Sequence, residues 1–366
     1  MMLFGCKSDE RVIQIGSILS GVDRYKGEML LIERVDLAHA GQLDEFVRQH
    51  PDCHFMQTSL WGRVKTDWGW QGLICRDAAG RIIGTMALLE HRFRLGGCLL
   101  YAPRGPIFCG KAAFSELIAA AKAYAAERRA CILRIDPAVP EDDAAFAALT
   151  GEFCRDAAED FSLFQPRMCY CLSLEGMTEE TLFAGYHRSV RRKLRIAERE
   201  GVKVRRGSAA DLAEFCGMMG ETARKNGFLP RREAYFRRVL EGLGSAAALL
   251  IAEREGQTLA AALCVTYGCR SWYFYGCSHA AALEFHPNEL LQWVMQREAL
   301  RQGCRSFDLR GVQGRPTQDN PYFGLHRFKQ SFGAAFCAYG GQYDLVLRPL
   351  SAKIFTLAAR VKSRRV

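Results

Sequence analysis

The sequence predicts an α/β chain of the α+β kind, assembled from two tandem copies of one unit. Three observations carry this. The stretch Leu73-Ile-Cys-Arg-Asp-Ala-Ala-Gly-Arg-Ile-Ile-Gly-Thr-Met-Ala-Leu-Leu89 reads as strand, turn and strand. Leu249-Leu-Ile-Ala-Glu-Arg-Glu-Gly-Gln-Thr-Leu-Ala-Ala-Ala-Leu-Cys-Val265 reads the same way, with Gly80 matched to Gly256. The same spacing pairs Leu133-Arg134 with Leu309-Arg310, and at a slightly shorter spacing Gln42-Leu-Asp-Glu-Phe46 echoes Asp211-Leu-Ala-Glu-Phe215. Self-similarity at that range marks a repeated supersecondary unit, here over about 30–136 and 202–311.

Each unit runs strand, one or two helices, three meandering strands, helix, strand. Apolar periodicity predicts helices at about 40–50, 58–67 and 112–129 in the first unit, and about 210–225, 232–243 and 287–302 in the second. His286-Pro-Asn-Glu-Leu-Leu291 supplies a proline at the start of the last of these, and Gly303 ends it. Between the units, Glu180 to Glu200 reads as one amphipathic helix. Phe183, Tyr186, Val190, Leu194 and Ala197 share a face, and Arg188, Arg191, Arg192, Arg195 and Arg199 occupy a neighbouring one. Ser271–Ser278 reads as a strand whose alternation puts Tyr273 and Tyr275 on one face, Trp272 and Phe274 on the other. Leu325 to Phe336 reads as a helix with Leu325, Phe328, Phe332 and Phe336 in one apolar stripe. Lys329 sits on its flank, and His326, Arg327 and Gln330 point away. An apolar stretch, Tyr343–Leu347, and a basic helix-like tail to Val366 follow. Residues 1–28 carry little pattern and read as an N-terminal extension. No long heptad insertion interrupts either unit, so no long coiled-coil arm is expected.

Composition narrows the class. A chain of 366 residues suggests two domains, each able to bury its own core. With 49% hydrophobic and 25% charged residues it is ordinary for a soluble globular protein. A formal net charge of +10 is compatible with a polyanionic partner. The 15 cysteines include no Cys-x-x-Cys; the tightest pair is Cys169-x-Cys171. That pattern predicts reduced, mostly buried thiols in a cytoplasmic protein, with neither a disulfide frame nor a metal site. Cys6 has no apolar segment before it, which argues against lipidation, and no apolar run approaches the ~20 residues of a membrane span.

Several positions can carry chemistry. Lys329, beside buried aromatics, is either a snorkelling lysine or a directed, partly desolvated positive charge. Lys65 falls on the more polar side of a helix whose Trp61, Val64 and Trp68 face a core. In Leu99-Leu-Tyr-Ala-Pro-Arg-Gly-Pro-Ile107 two prolines fix φ around Arg104, which either binds substrate or braces the loop. The arginines of 188–199 suit phosphate oxygens and outnumber the acids available to pair them. Asp308 orients Lys329 or caps a turn. No serine, cysteine or histidine is spaced as a nucleophile set.

Gly324-Leu-x-x-Phe-Lys-x-x-Phe-Gly333, followed by Gly341-x-Tyr-Asp344, resembles the C-terminal signature of the Fem-type (FemABX) peptidoglycan aminoacyltransferases. Gln57-Thr-Ser-Leu-Trp61 leading to Lys65, Tyr101-Ala-Pro-Arg-Gly-Pro106, Tyr273-Phe-Tyr-Gly276 and Phe307-Asp-Leu-Arg-Gly311 resemble further motifs of that family, from about Phe55 to Asp344. The aspartate that relatives carry soon after the second motif is absent; Phe108, Cys109, Gly110 and Lys111 stand there. The element order resembles the acetyltransferase (GNAT) fold used twice, as in Fem-type enzymes. The resemblance implies a GNAT-like domain at 29–168, completed by about 336–366, and a second at 169–335. It implies transfer of an amino acid from aminoacyl-tRNA to the stem-peptide side-chain amine of a peptidoglycan precursor, UDP-linked or lipid-linked, by a cytoplasmic monomer needing no cofactor.

In that reading Lys329 stabilises an oxyanion in a pocket shaped by Phe328. Lys65, Arg188, Arg191 and Arg192 hold precursor phosphate, and Tyr273 and Tyr275 line the peptide cleft. Arg104 and Asp308 are further substrate-side candidates. The rivals are an acyl-CoA-dependent N-acyltransferase on the same fold and a non-catalytic tRNA- or glycan-binding scaffold. Against the first, Gly105–Gly110 and Gly276–Ala280 lack the Arg/Gln-x-x-Gly-x-Gly/Ala loop that would hold CoA pyrophosphate.

Overall fold

The computed structural model describes residues 29–93, 97–226, 229–353 and 355. The expected N-terminal extension and most of the basic tail lie outside them. Two sheets form the frame. The first holds β1 (Leu31–Val35), β2 (Gly69–Arg76), β3 (Ile82–Arg92), β4 (Cys98–Ala102), β5 (Ile107–Phe108), β6 (Ala130–Ile135) and β7 (Cys154–Asp156). The second holds β8 (Met168–Ser173), β9 (Lys203–Arg206), β10 (Ala247–Arg254), β11 (Gln257–Tyr267), β12 (Arg270–Ser278), β13 (Ser306–Val312) and β14 (Ala335–Ala338). The strand order is β1-β2-β3-β4-β6-β15-β7 in the first, where β15 is Gln342–Val346, and β14-β8-β13-β12-β11-β10-β9 in the second.

The two orders superpose as the repeat requires. In each, a hairpin turns at a glycine in left-handed backbone, Gly80 at φ +79° and Gly256 at φ +78°, where a side chain would be strained. In each, the fourth and fifth strands of the unit run parallel, β4 with β6 and β12 with β13, and all other pairs are antiparallel. The parallel pair needs a crossover, supplied by α3 (Gly110–Arg128) and α9 (Pro287–Arg301), after α1 (Gly41–Gln49) and α2 (Ser59–Val64) in the first unit and α7 (Leu212–Asn226) and α8 (Glu233–Leu243) in the second. Four further helices complete the set among the described residues: α4 (Ala144–Leu149), α5 (Glu179–Gly185), α6 (Arg188–Arg199) and, after β13, α10 (Phe323–Gln330). Among the described residues no helix is longer than the 19 residues of α3, so no coiled-coil arm is present there. None of them is long and apolar enough to cross a membrane.

The chain does not leave the first sheet for good. After β14 it returns, and β15 inserts between β6 and β7. Arg134 on β6 grips Asp344 on β15 with two parallel N–H···O bonds of 2.7 Å, which fixes the register of that late strand. One apolar cluster joins the two units. Phe55, Trp61, Leu99 and Tyr101 from the first pack with Phe215, Phe236, Leu249 and Trp272 from the second. Helices α2 and α8 meet closely enough that a Cβ on Gly242 would lie 2.8 Å from Val64 Cγ2.

Two expected helices are shorter than their patterns. The 180–200 segment breaks at Tyr186-His187. Tyr186 turns inward, its hydroxyl donating to Gln296 Oε1 at 2.7 Å, while the His187 N–H donates to Ser331 O at 2.8 Å. Docking against the second unit thus outweighs helical continuity. The 325–336 segment stops at Gln330, and Gly333, at φ +77°, turns the chain into β14. The expected stripe dissolves accordingly. Leu325 is 38% exposed, Phe336 lies on a strand, and His326 is fully buried with its ring between Tyr170 Oη (3.2 Å) and Gln313 O (3.1 Å).

Candidate active site

A cavity of about 420 Å³ opens at the seam between the units. Lys65, Arg231 and Arg310 line it, and among the described residues no carboxylate does. Lys65 caps the C-terminal end of α2. Its ammonium lies 5.4 Å from the Trp61 ring, 5.8 Å from Trp68 and 5.9 Å from Tyr235, a cage whose ring faces favour a cation. Burial pushes this ammonium down to about 8, with Arg231 and Arg238 adding to the effect against Asp67. A desolvated cation among like charges gains most from an incoming anion.

The tyrosines of β12 do not share a face. The β11–β12 ladder pairs Leu263 with Tyr275 and Cys264 with Tyr273, leaving Phe274 as the extra residue of a bulge. The bulge flips the alternation. Tyr275 and Phe274 line the cavity, whereas Tyr273 packs against the core of the second unit. The expectation that Tyr273 lines the same cleft is therefore corrected. Tyr275 Oη donates to Tyr235 Oη at 3.4 Å.

Lys329 is more deeply buried than its flank position suggests, at 4% exposure, and burial pulls its ammonium down to about 8. It donates to Arg310 O (2.9 Å) and Gly311 O (2.7 Å), carbonyls of a second bulge, between β8 and β13. Asp308 caps the same turn, its Oδ1 accepting from Arg310 N at 2.6 Å. Phe328 points elsewhere. It stacks edge-on against Phe332 and lines a separate cavity of about 650 Å³ with His187, Ser189, Lys193 and Arg327. Arg188 and Arg192 are exposed on α6, next in sequence to the lining residues Ser189 and Lys193 but not lining that cavity themselves, and Arg191 donates to Ala184 O at 3.1 Å. The structure thus does not bring Arg188, Arg191 and Arg192 together with Lys65.

Arg104 faces inward. It is 4% exposed, donates to Pro166 O at 2.6 Å, and stacks 5.0 Å from the Tyr339 ring. Its backbone N–H donates to Asp136 Oδ1 at 2.6 Å while the Tyr101 hydroxyl donates to Oδ2 at 2.5 Å. Of the two roles open to it, geometry supports the brace. Gln57 locks the same loop by donating to Pro103 O at 2.9 Å, and Gly105 approaches it so closely that a Cβ would lie 2.1 Å from Gln57 Cδ.

The FemAB family model matches residues 39–152, 155–255 and 253–360. The chain belongs to the FemAB family. Among curated FemAB relatives, the Lipid II:glycine glycyltransferase of Staphylococcus saprophyticus is 27% identical, over 90% of this chain and 95% of that protein. The protein of the same name from Staphylococcus epidermidis is 26% identical, over 88% and 94%. Among solved structures, FemX superposes with a TM-score of 0.79 at 23% identity, covering 88% of this chain and 99% of that one. A tandem GNAT protein from the clavulanic acid biosynthesis pathway superposes at 0.51 and 13%, covering 86% and 98%. The fold is therefore that of tandem GNAT-like domains.

In this FemAB chain the residues missed from sequence are Arg231, Tyr235 and Arg310. Arg231, just before the N-cap of α8, and Tyr235, in its first turn, stand four apart, and their signal was the basic pair Arg231-Arg232 before an aromatic. Because Lys65 must be charged to attract an anion, affinity of the cavity for inorganic pyrophosphate should fall as pH rises through about 8. Lys329 titrates nearby, but its neutral amine still donates to both carbonyls, and the ionisation of pyrophosphate itself is common to wild type and variant, so the difference between the wild-type and Lys65→Arg profiles reports Lys65. Isothermal titration from pH 6.5 to 9.5 checks this. Lys65→Arg, which stays protonated throughout, should lose the fall in affinity above about 8.

Proposed function

We propose that this chain is a cytoplasmic aminoacyltransferase that moves an amino acid from aminoacyl-tRNA to the side-chain amine in the stem peptide of a peptidoglycan precursor, forming an interpeptide bridge in cell-wall synthesis. The observation that carries the reading is the seam cavity with three cations, aromatic walls and, among the described residues, no carboxylate. It suits the diphosphate and sugar of a precursor, and FemAB relatives named for a Lipid II acceptor support that class of substrate. Lys65 and Arg231 hold phosphate oxygens there, and Tyr275 and Tyr235 border the peptide.

The donor enters from the other side. The cavity beside α6 and α10 is lined by Lys193 and Arg327, with Arg188 and Arg192 exposed alongside, an arrangement suited to the phosphates of a tRNA acceptor end. The chemistry needs no nucleophilic side chain. The neutral acceptor amine attacks the ester carbonyl, an N–C bond forms, the C–O bond to ribose breaks, and the proton the amine loses ends on the released ribose oxygen, so tRNA departs with a free hydroxyl. The protein aligns the partners and supplies positive potential for the tetrahedral oxyanion. Aminoacyl-tRNA is a co-substrate, and the reaction requires no cofactor.

The test is transfer from labelled aminoacyl-tRNAs to nucleotide-linked and lipid-linked precursor, with calorimetric titration of CoA alongside. Amide formation on either precursor supports the reading. CoA binding together with acetyl transfer, and no transfer from any aminoacyl-tRNA, would overturn it.

A further inference from the structure

We infer that Arg310 contacts an anionic group of the acceptor in the seam cavity, and that Lys329 and Asp308 act through Arg310 as positioning residues. The inference rests on reading that cavity as the precursor site. It changes what the buried lysine does.

The β8–β13 ladder loses register between Asp308 and Gly311, and Arg310 stands there in left-handed backbone at φ +63°. A residue with a Cβ holds that conformation when its surroundings over-determine it. Here they do. Asp308 Oδ1 takes the Arg310 N–H at 2.6 Å, and Lys329 Nζ donates to the Arg310 and Gly311 carbonyls at 2.9 and 2.7 Å. The bulge frees backbone groups from the ladder, and these two side chains satisfy them. Lys329 itself lines neither the seam cavity nor the one beside α6.

The turn aims one group into the seam. The Arg310 guanidinium lies 5.6 Å from the Phe274 ring centroid, and Nη2 donates to Gln165 Oε1 at 3.1 Å. Nη1 is buried and has no hydrogen-bond partner among the described residues. A planar fork with one arm tied and the other unpaired, on a cavity that Lys65 and Arg231 also line and that no carboxylate lines among the described residues, fits a phosphate or carboxylate oxygen. The precursor offers both, in its diphosphate and in its stem peptide.

The experiment titrates full-length wild type, Arg310→Met, Lys329→Met and the double variant with nucleotide-linked muropeptide. Inorganic pyrophosphate and free stem pentapeptide serve as separate probes. Each single variant should weaken muropeptide binding roughly 10- to 100-fold, and the double should be no weaker than the worse single, because both changes remove one contact. The probe whose binding falls with Arg310→Met identifies the source of the anion. Asp308→Asn, which keeps a side-chain acceptor for the Arg310 N–H, should bind near wild type, and Asp308→Leu should not.

Wild-type affinity in Arg310→Met overturns the inference. So does Lys329→Met that binds normally but fails to transfer, which would put the ammonium on the reacting atoms. If Lys329→Met does not fold by circular dichroism, equal binding in Asp308→Asn and Asp308→Leu overturns it instead. Wild type that binds no muropeptide sinks the precursor reading itself, and this inference with it.

Discussion

Replacing Lys65 by methionine should weaken binding of the nucleotide-linked precursor about a hundredfold, on the order of 3 kcal/mol, while thermal stability holds or rises. Both halves follow from one geometry. The ammonium is held among three aromatic rings and depressed to about 8 by burial and neighbouring arginines. A lysine whose folded value lies below its unfolded one makes the folded state less stable while it carries charge. That cost is present at pH 7 and is relieved as pH rises above about 8. Methionine keeps an unbranched apolar stem for the cage and removes the charge. Calorimetric titration and a thermal melt on the same preparation decide it. Unchanged affinity would remove Lys65 from the anion site.

Arg104→Met should do the reverse. It should cost about 3 kcal/mol of stability or more, because two buried carbonyls lose their charged donor and the buried Asp136 carboxylate loses a compensating charge, and leave precursor affinity per folded molecule near wild type. Asp136 is 3% exposed, and burial raises its carboxyl to about 6 even with Arg104 beside it. Without the guanidinium that carboxyl rises further. A raised folded value means the folded state binds more protons than the unfolded one from the ordinary carboxylate range up to about 6, so stability falls as pH increases across that window. The deficit of the variant should accordingly shrink between pH 7 and pH 5. Urea unfolding at the two pH values measures it. A variant that melts like wild type but loses affinity would restore Arg104 to the substrate side.

The repeat was legible because it rests on local signals. Gly80 and Gly256 punctuate matched hairpins, and they adopt matched left-handed backbone. Apolar periodicity placed α1, α2 and α3 and their counterparts α7, α8 and α9 within a few residues. What escaped was tertiary. The stripe through Phe183, Tyr186 and Val190 keeps helical spacing across the break at His187, so periodicity could not reveal it. Alternation along β12 assumes an unbroken ladder, and the bulge at Phe274 reverses it for Tyr273. The flank position of Lys329 was readable, but the carbonyls it serves belong to a strand almost 20 residues earlier and are exposed by another bulge. Arg231 and Arg310 become neighbours of Lys65 only once the two units share a core.

The late return of β15 bears on how the molecule is made. Its pairing with β6, clamped by Arg134 and Asp344 across 210 residues of chain, is an inner part of the first sheet. A ribosome delivers that segment only after the whole second unit, so the leading half waits with β6 and β7 unjoined while the trailing half is being produced. Nascent chains are therefore vulnerable at that gap to proteases and to capture by another copy's strand, and the two halves should mature as one cooperative event instead of in sequence.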